Sequence, residues 1–254
     1  MGHAGTLDPL AEGVLPVLLG RATRLADYIQ SGSKTYVTTI ALGAATDTDD
    51  AEGTVTSSMV VPSLSAAAVD AVLAKFRGEI LQRPPAYSAL KVAGRRAYAL
   101  ARAGESVDLA PRSVTVYDLR LIDFSEAELR LEVTCSKGTY IRALARDIAE
   151  ALGTVGHMSS LVRTHVGPFS LENAVSLEGL ADAGVHCFLL PASCAIRDAP
   201  CVSVSPELAL RLENGQPVAS DGLRADSVWV YDPGDRLVCL ASADGSLLRP
   251  RIAL

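Results

Sequence analysis

No stretch of this sequence approaches the roughly 18 consecutive apolar residues that a bilayer-crossing helix needs, because glycine, proline or charge interrupts each hydrophobic run. A membrane anchor is therefore not expected. The five cysteines, Cys135, Cys187, Cys194, Cys201 and Cys239, are odd in number and contain no C-x-x-C pair, which speaks against a disulfide framework and against a zinc site. They read as reduced packing thiols. His3, His157, His165 and His186 are scattered without ligand spacing, so metal catalysis finds no support. There is no G-K-[ST] phosphate loop, no G-x-G-x-x-G after a strand and no G-x-S-x-G elbow, and no metal or nucleotide cofactor is expected. A basic-then-apolar leader is also lacking, which points to the cytoplasm.

Positive charge is scarce as well. Lys and Arg number 23 against 29 Asp and Glu, a formal net charge of -6, and taken alone this argues against a nucleic-acid partner, whose phosphates are met by basic side chains. The distribution is uneven, however. Arg83, Lys91, Arg95, Arg96 and Arg102 fall in one stretch with no acidic residue between them, which is either a solvated face or a local basic surface for RNA.

What is abundant is core material: 49% of the 254 residues are hydrophobic, enough for one sizeable core plus a small second domain. The spacing predicts a strand over 14–19, a helix from Ala22 to Ile29 with a stop at Gly32, and a strand over Thr35–Leu42. An acidic loop follows, Thr46 to Gly53, whose carboxylates repel one another unless a cation sits nearby. A helix from Ser65 carries Val69, Val72, Leu73 and Phe76; Pro84 and Pro85 force an extended path; a further helix is expected to close at Gly104. Val114–Phe124 and Leu129–Cys135 alternate as paired strands. Beyond Gly138, Ile141, Leu144, Ala145, Ile148 and Leu152 mark the buried stripe of a helix that presents Arg142 and Arg146 on another face. A strand over Leu161–Val166 and a short helix from Leu177 complete a domain over 1–196. Residues 197–254 read as a small β-rich module, with turns at Pro233-Gly234 and Asp244-Gly245.

Asp8 lies in G-H-A-G-T-L-D-P, where glycines and Pro9 constrain its backbone and Leu7 and Leu10 limit its solvation. It is either a reactive carboxylate or one half of an ordinary Asp-Pro turn, and residue chemistry alone leaves both open.

Five segments then occur in a fixed order: G-H-A-G-T-L-D-P-L-A-E-G-V-L-P at the start, K-T-Y at 34–36, T-D-T-D-D-A-E-G at 46–53, P-P-A-Y-S-A-L-K-V-A-G-R-R-A-Y at 84–98, and C-S-K-G-T-Y-I-R at 135–142. Together they resemble the TruB family of tRNA pseudouridine synthases, with the resemblance running through at least Val166. It implies an α+β fold with a mixed, mainly antiparallel sheet flanked by helices, a thumb-loop-like insertion near 83–104, and a C-terminal PUA-like domain. The implied activity is cofactor-independent isomerisation of the T-loop uridine at position 55 of tRNA, with base flipping and Asp8 as nucleophile. By the same resemblance Tyr36 stacks on the flipped uracil, Arg142 keeps Asp8 ionised and oriented, and Asp50 joins that network. RNA contacts fall to His3, Tyr87, Lys91, Arg95, Arg96, Lys137, Tyr140 and the pocket wall Leu161. The implied partner is the T-arm of tRNA, and the protein is expected to act as a monomer.

Family members carry a few dozen residues ahead of the G-H-x-G segment, including a strand. From the abrupt start here we expect an uncovered sheet edge and reduced stability and activity. Two alternatives follow: a tRNA-folding chaperone with weak or no catalysis, and a carbohydrate enzyme using the Asp8 and Asp50 carboxylates.

Overall fold

Strand alternation sets the frame. In the computed structural model, which describes residues 1–88, 90–92, 95, 96, 98, 109–196 and 198–254, the strand Glu128–Cys135 buries Leu129, Leu131, Val133 and Cys135 and turns its alternate residues away from the core. It pairs antiparallel with Arg112–Phe124 on one side and with Lys34–Leu42 on the other. The sheet continues antiparallel to Gly78–Gln82 at one end and to Gly156–Val166 at the other, and the short strand Ala11–Gly13 adds to Gly156–Val166 in parallel. The sheet is thus mixed and mainly antiparallel, as expected.

Two helices cover one face of this sheet. Ala66–Leu73 starts on Ser65, whose hydroxyl accepts from the Ala68 N–H at 3.2 Å, and buries Val69 and Leu73. Ile141–Ala151 buries Ile141, Leu144, Ala145 and Ile148, the stripe read from the sequence. Packed on Ile40, Leu119, Leu129, Leu131, Val133 and Met158, these side chains form one continuous cluster, each large member contributing about 1.5–3 kcal/mol by leaving water.

Two expected elements are corrected. The strand expected over 14–19 is present only as Val17–Leu18, and Ala11–Gly13 forms a separate strand ahead of it; Pro16, between the two, has no N–H to give a ladder. The helix expected up to Gly104 is replaced at its start by a short antiparallel pair, Lys91–Val92 with Arg95–Arg96. Its continuation over 99–104 lies outside the described residues. A smaller difference concerns Gly20–Leu25, which is a 3-10 turn that leads into the α-helix Ala26–Ser31.

The chain divides into two compact units. The sheet just described lies in the unit formed by Leu7–Val14 and Ser31–Val166. The other unit combines Met1–Thr6, Leu15–Gln30 and Gly167–Leu254. Its five-stranded sheet runs in the order Cys201–Ser203, Arg224–Tyr231, Leu237–Asp244, Leu247–Ala253, Val218–Ala219, and the helix Pro206–Glu213 closes its core with Ala209 and Leu212. Trp229 is buried there, its indole N–H donating to the Ile196 carbonyl at 3.0 Å. Arg21 and Arg24, from the N-terminal part of the same unit, donate to the carbonyls of Leu254 and Ala253.

Candidate active site

Three segments distant in sequence meet at one guanidinium. The first is the loop that carries Asp8. Its Ala11–Gly13 strand lies against Leu161–Arg163, where Val14 N–H donates to the Arg163 carbonyl at 2.8 Å and Arg163 Nε donates back to the Val14 carbonyl at 2.8 Å. Gly13 is required for this approach: its φ is +103°, and a Cβ there would stand 2.2 Å from the Arg163 carbonyl oxygen.

The second segment is the acidic turn. Asp49 adopts φ 61°, a left-handed conformation that aspartate tolerates better than most residues. The turn hooks onto the Gly156–Val166 strand through Met158, whose N–H donates to the Asp49 carbonyl and whose carbonyl accepts from Ala51 N–H, both at 3.0 Å. Asp50 is thereby buried. Its Oδ1 accepts from Thr48 Oγ1 at 2.6 Å and from Glu52 N–H at 3.1 Å.

The third is the first turn of Ile141–Ala151. Tyr140, at its N-cap, donates its N–H to Gln82 Oε1 at 2.8 Å, and Gln82 Nε2 donates to the Tyr140 carbonyl at 3.1 Å. This reciprocal pair fixes the helix start to the end of Gly78–Gln82.

Arg142 joins all three. Nε donates to Asp8 Oδ2 at 3.0 Å and Nη2 to Asp8 Oδ1 at 3.3 Å, a bidentate fork. Nη2 also donates to the Tyr87 carbonyl at 3.0 Å, while Nη1 donates to the Thr48 carbonyl at 3.0 Å and lies 3.3 Å from Asp50 Oδ2. The Arg142 side chain is 7% exposed and that of Asp50 4%, whereas that of Asp8 is 36% exposed. A buried cation thus holds one carboxylate inside and presents another at the surface in a fixed orientation. Such an arrangement can offer an oxygen nucleophile without moving its support.

Tyr36 lies on Lys34–Leu42 and packs against the main core. Burial, then the Cys135 thiolate, push its hydroxyl up to about 12; Arg163, which hydrogen-bonds to it, works the other way, and the Asp8 carboxylate adds to the rise. Tyr140 is also raised, first by burial, with Asp8 again among the causes. Both phenols therefore stay neutral near pH 7, within electrostatic reach of Asp8. Leu161 is 6% exposed and belongs to the same core as Leu10 and Ala11.

Of the residues expected at the site, Asp8, Asp50 and Arg142 are in direct contact, Tyr87 joins through its carbonyl, and Tyr36 and Tyr140 sense the Asp8 charge. Lys137 is exposed on the turn before the helix, and Arg95 is exposed on the short hairpin. The side chains of Lys91 and Arg96 lie outside the described residues. His3 pairs with Val17 in the other unit. Sequence reading missed Gln82 and Arg163, whose side chains hold backbone, and Thr48, whose hydroxyl holds the Asp50 carboxylate, and no spacing rule marks them. Among the described residues, no group of three or more His, Cys, Asp or Glu side chains could hold a metal ion.

The fold and this site define the class of pseudouridine-forming enzymes. A solved Cbf5-Nop10-Gar1 complex matches with a TM-score of 0.71 at 26% identity, covering 100% of this chain and 75% of that one. A solved H/ACA RNP bound to a substrate RNA containing 2'-deoxyuridine also gives 0.71, at 25% identity over 99% and 75%. The model of the TruB family pseudouridylate synthase N-terminal domain matches residues 1–141, and that of the tRNA pseudouridylate synthase B C-terminal domain matches residues 142–187. The tRNA pseudouridine synthase B of Francisella philomiragia subsp. philomiragia is 43% identical over 250 residues, covering 96% of this chain and 82% of that one. The protein of the same name from Burkholderia mallei is 44% identical over 263 residues, covering 98% and 85%. The chain belongs to the TruB family of pseudouridylate synthases.

Proposed function

We propose that this protein is a tRNA pseudouridine synthase that isomerises the T-loop uridine at position 55, with Asp8 as the nucleophile. The observation that carries the reading is the bidentate Asp8–Arg142 fork, with Asp50 buried on the other side of the same guanidinium. A pure RNA-binding protein has no use for a carboxylate facing a polyanion, because that charge repels phosphate. A chaperone reading is for this reason not favoured, and the names of the relatives agree.

In the reaction, the uridine leaves the stack and enters beside Asp8, where Tyr36 offers a neutral ring face. The Asp8 carboxylate bonds to the nucleotide, the bond from N1 to C1' breaks, the base turns, and C5 bonds to C1'; the bond to Asp8 then breaks to return the free carboxylate, and the proton lost from C5 is matched by one gained at N1. Arg142 holds Asp8 throughout. Leu161 lines the uracil pocket, and His3, Tyr87, Lys91, Arg95, Arg96, Lys137 and Tyr140 contact the T-arm. Residues 1–196 act as the synthase domain and 197–254 as a PUA-like RNA-binding module, a reading supported by the separate core around Ala209 and Leu212. The protein works as a monomer in the cytoplasm, where its tRNA substrate is found.

The test is incubation with an unmodified tRNA transcript, followed by carbodiimide treatment and primer extension. A stop at the T-loop uridine is expected. Tight tRNA binding without any stop would return the chaperone reading.

A further inference from the structure

The helix Ile141–Ala151 carries a second guanidinium one turn beyond Arg142, on the same stripe. Arg146 Nη1 lies 2.7 Å from Asp49 Oδ2, and Nη2 lies 2.8 Å from Asp147 Oδ1 and donates to the Arg83 carbonyl at 3.0 Å. The two arginines therefore form two rungs between the same pair of segments. Arg142 joins Asp50 to the Tyr87 carbonyl; Arg146 joins Asp49, the adjacent residue, to the Arg83 carbonyl.

The second rung acts where the turn most needs support. Asp49 holds a left-handed backbone, φ 61°, and only its carbonyl is tied to the neighbouring strand, by Met158 N–H. Arg146 supplies the hold on its carboxylate. The side chains of the pair are 15% and 21% exposed, so the contact is shielded from water and from salt. Burial raises the Asp49 carboxyl, and Arg146 is the largest influence opposing that rise. Without Arg146, a carboxylate would remain in a place that disfavours its charge, and the turn would be drawn toward solvent.

We infer that Arg146 is a positioning residue for pseudouridine formation: through Asp49 and the Arg83 carbonyl it fixes where the Asp50 carboxylate and the Tyr87 carbonyl meet Arg142, and hence the direction in which Arg142 holds Asp8. The inference rests on the reading of Asp8 given above. Arg146 and Asp49 are linked to Asp8 through the turn and Arg142. Small displacements are sufficient for an effect, because Nη1 of Arg142 is shared between Asp50 and the Thr48 carbonyl, both on the turn that Arg146 holds.

The test compares single-turnover pseudouridine formation, tRNA affinity and melting temperature for wild type, Arg146→Met, Arg146→Lys and Asp49→Asn. Asparagine keeps the tolerance for left-handed backbone, so Asp49→Asn removes the charge and leaves the turn accessible. Arg146→Met and Asp49→Asn are each expected to slow the single-turnover step ~10- to 100-fold while the tRNA Kd moves less than ~3-fold. Arg146→Lys, which restores the charge without the fork, is expected to recover at least ~3-fold of that loss. A single-turnover rate within ~2-fold of wild type for both Arg146→Met and Asp49→Asn overturns the inference, as does a loss carried wholly by Kd. Wild type that forms no pseudouridine removes the underlying reading of Asp8; active wild type with unaffected variants removes the Arg146 role alone.

Discussion

Arg142 is an expensive residue to place where it is. A cation with 7% side-chain exposure is stable only because each of its nitrogens faces an acceptor, and four of the interactions go to two carboxylates and the carbonyl of a backbone turn. Tyr36 adds a measurable consequence. Its hydroxyl titrates at about 12 in the fold against 10.0 ordinarily, so the folded state holds that proton more tightly. Its contribution to stability is fully present below pH 10 and is lost as pH rises toward 12, by about 2–3 kcal/mol at most. Unfolding of wild type and Tyr36→Phe, compared between pH 9 and 12, should therefore fall more steeply for wild type. Parallel curves would show that the hydroxyl does not feel its surroundings as described. At this scale Asp8, Asp50, Tyr36 and Arg142 were legible because each sits in a motif with a fixed neighbour pattern. Gln82 and Arg163 were not, since a side chain that bonds to distant backbone leaves no local signature.

Elements were legible where period and length agreed. Glu128–Cys135 alternates and Ile141–Ala151 repeats every three to four residues, and both occur as expected. The failures have local causes. Pro16 leaves only Val17–Leu18 of the expected strand, and the basic stretch, rich in helix-forming Ala and Arg, begins instead with paired Lys91–Val92 and Arg95–Arg96, because helix propensity is a weak prior that strand pairing overrides. The Asp8 loop depends on a contact that sequence marks only as one more glycine. Gly13→Ala should cost about 2–4 kcal/mol, the sum of a positive φ and a Cβ driven into the Arg163 carbonyl. Urea unfolding measures it. A loss below about 1 kcal/mol would mean that the loop can step away from the strand without penalty.

For the whole molecule, a net charge of -6 has to coexist with a polyanionic substrate. The reading proposed above assigns substrate contact to the local concentration of basic residues, and the exposed Arg95 is where it should be measurable. Replacing both Arg95 and Arg96 with alanine should weaken tRNA binding and lower the slope of log K against log salt by about 2, roughly one per lost phosphate contact. An unchanged slope would remove the hairpin from the interface. The two-unit division, with N-terminal segments joining the Gly167–Leu254 part of the chain, could not be read from the sequence, because it depends on pairings such as Arg21 with the Leu254 carbonyl across more than two hundred residues.

The central claim is that one carboxylate, held by Arg142, does the chemistry. It is tested most directly by single-turnover conversion of unmodified tRNA by wild type and Asp8→Asn, with tRNA affinity measured in parallel. The account predicts that Asp8→Asn binds tRNA as wild type does and forms no detectable pseudouridine. Product formed by Asp8→Asn at the wild-type rate would contradict it.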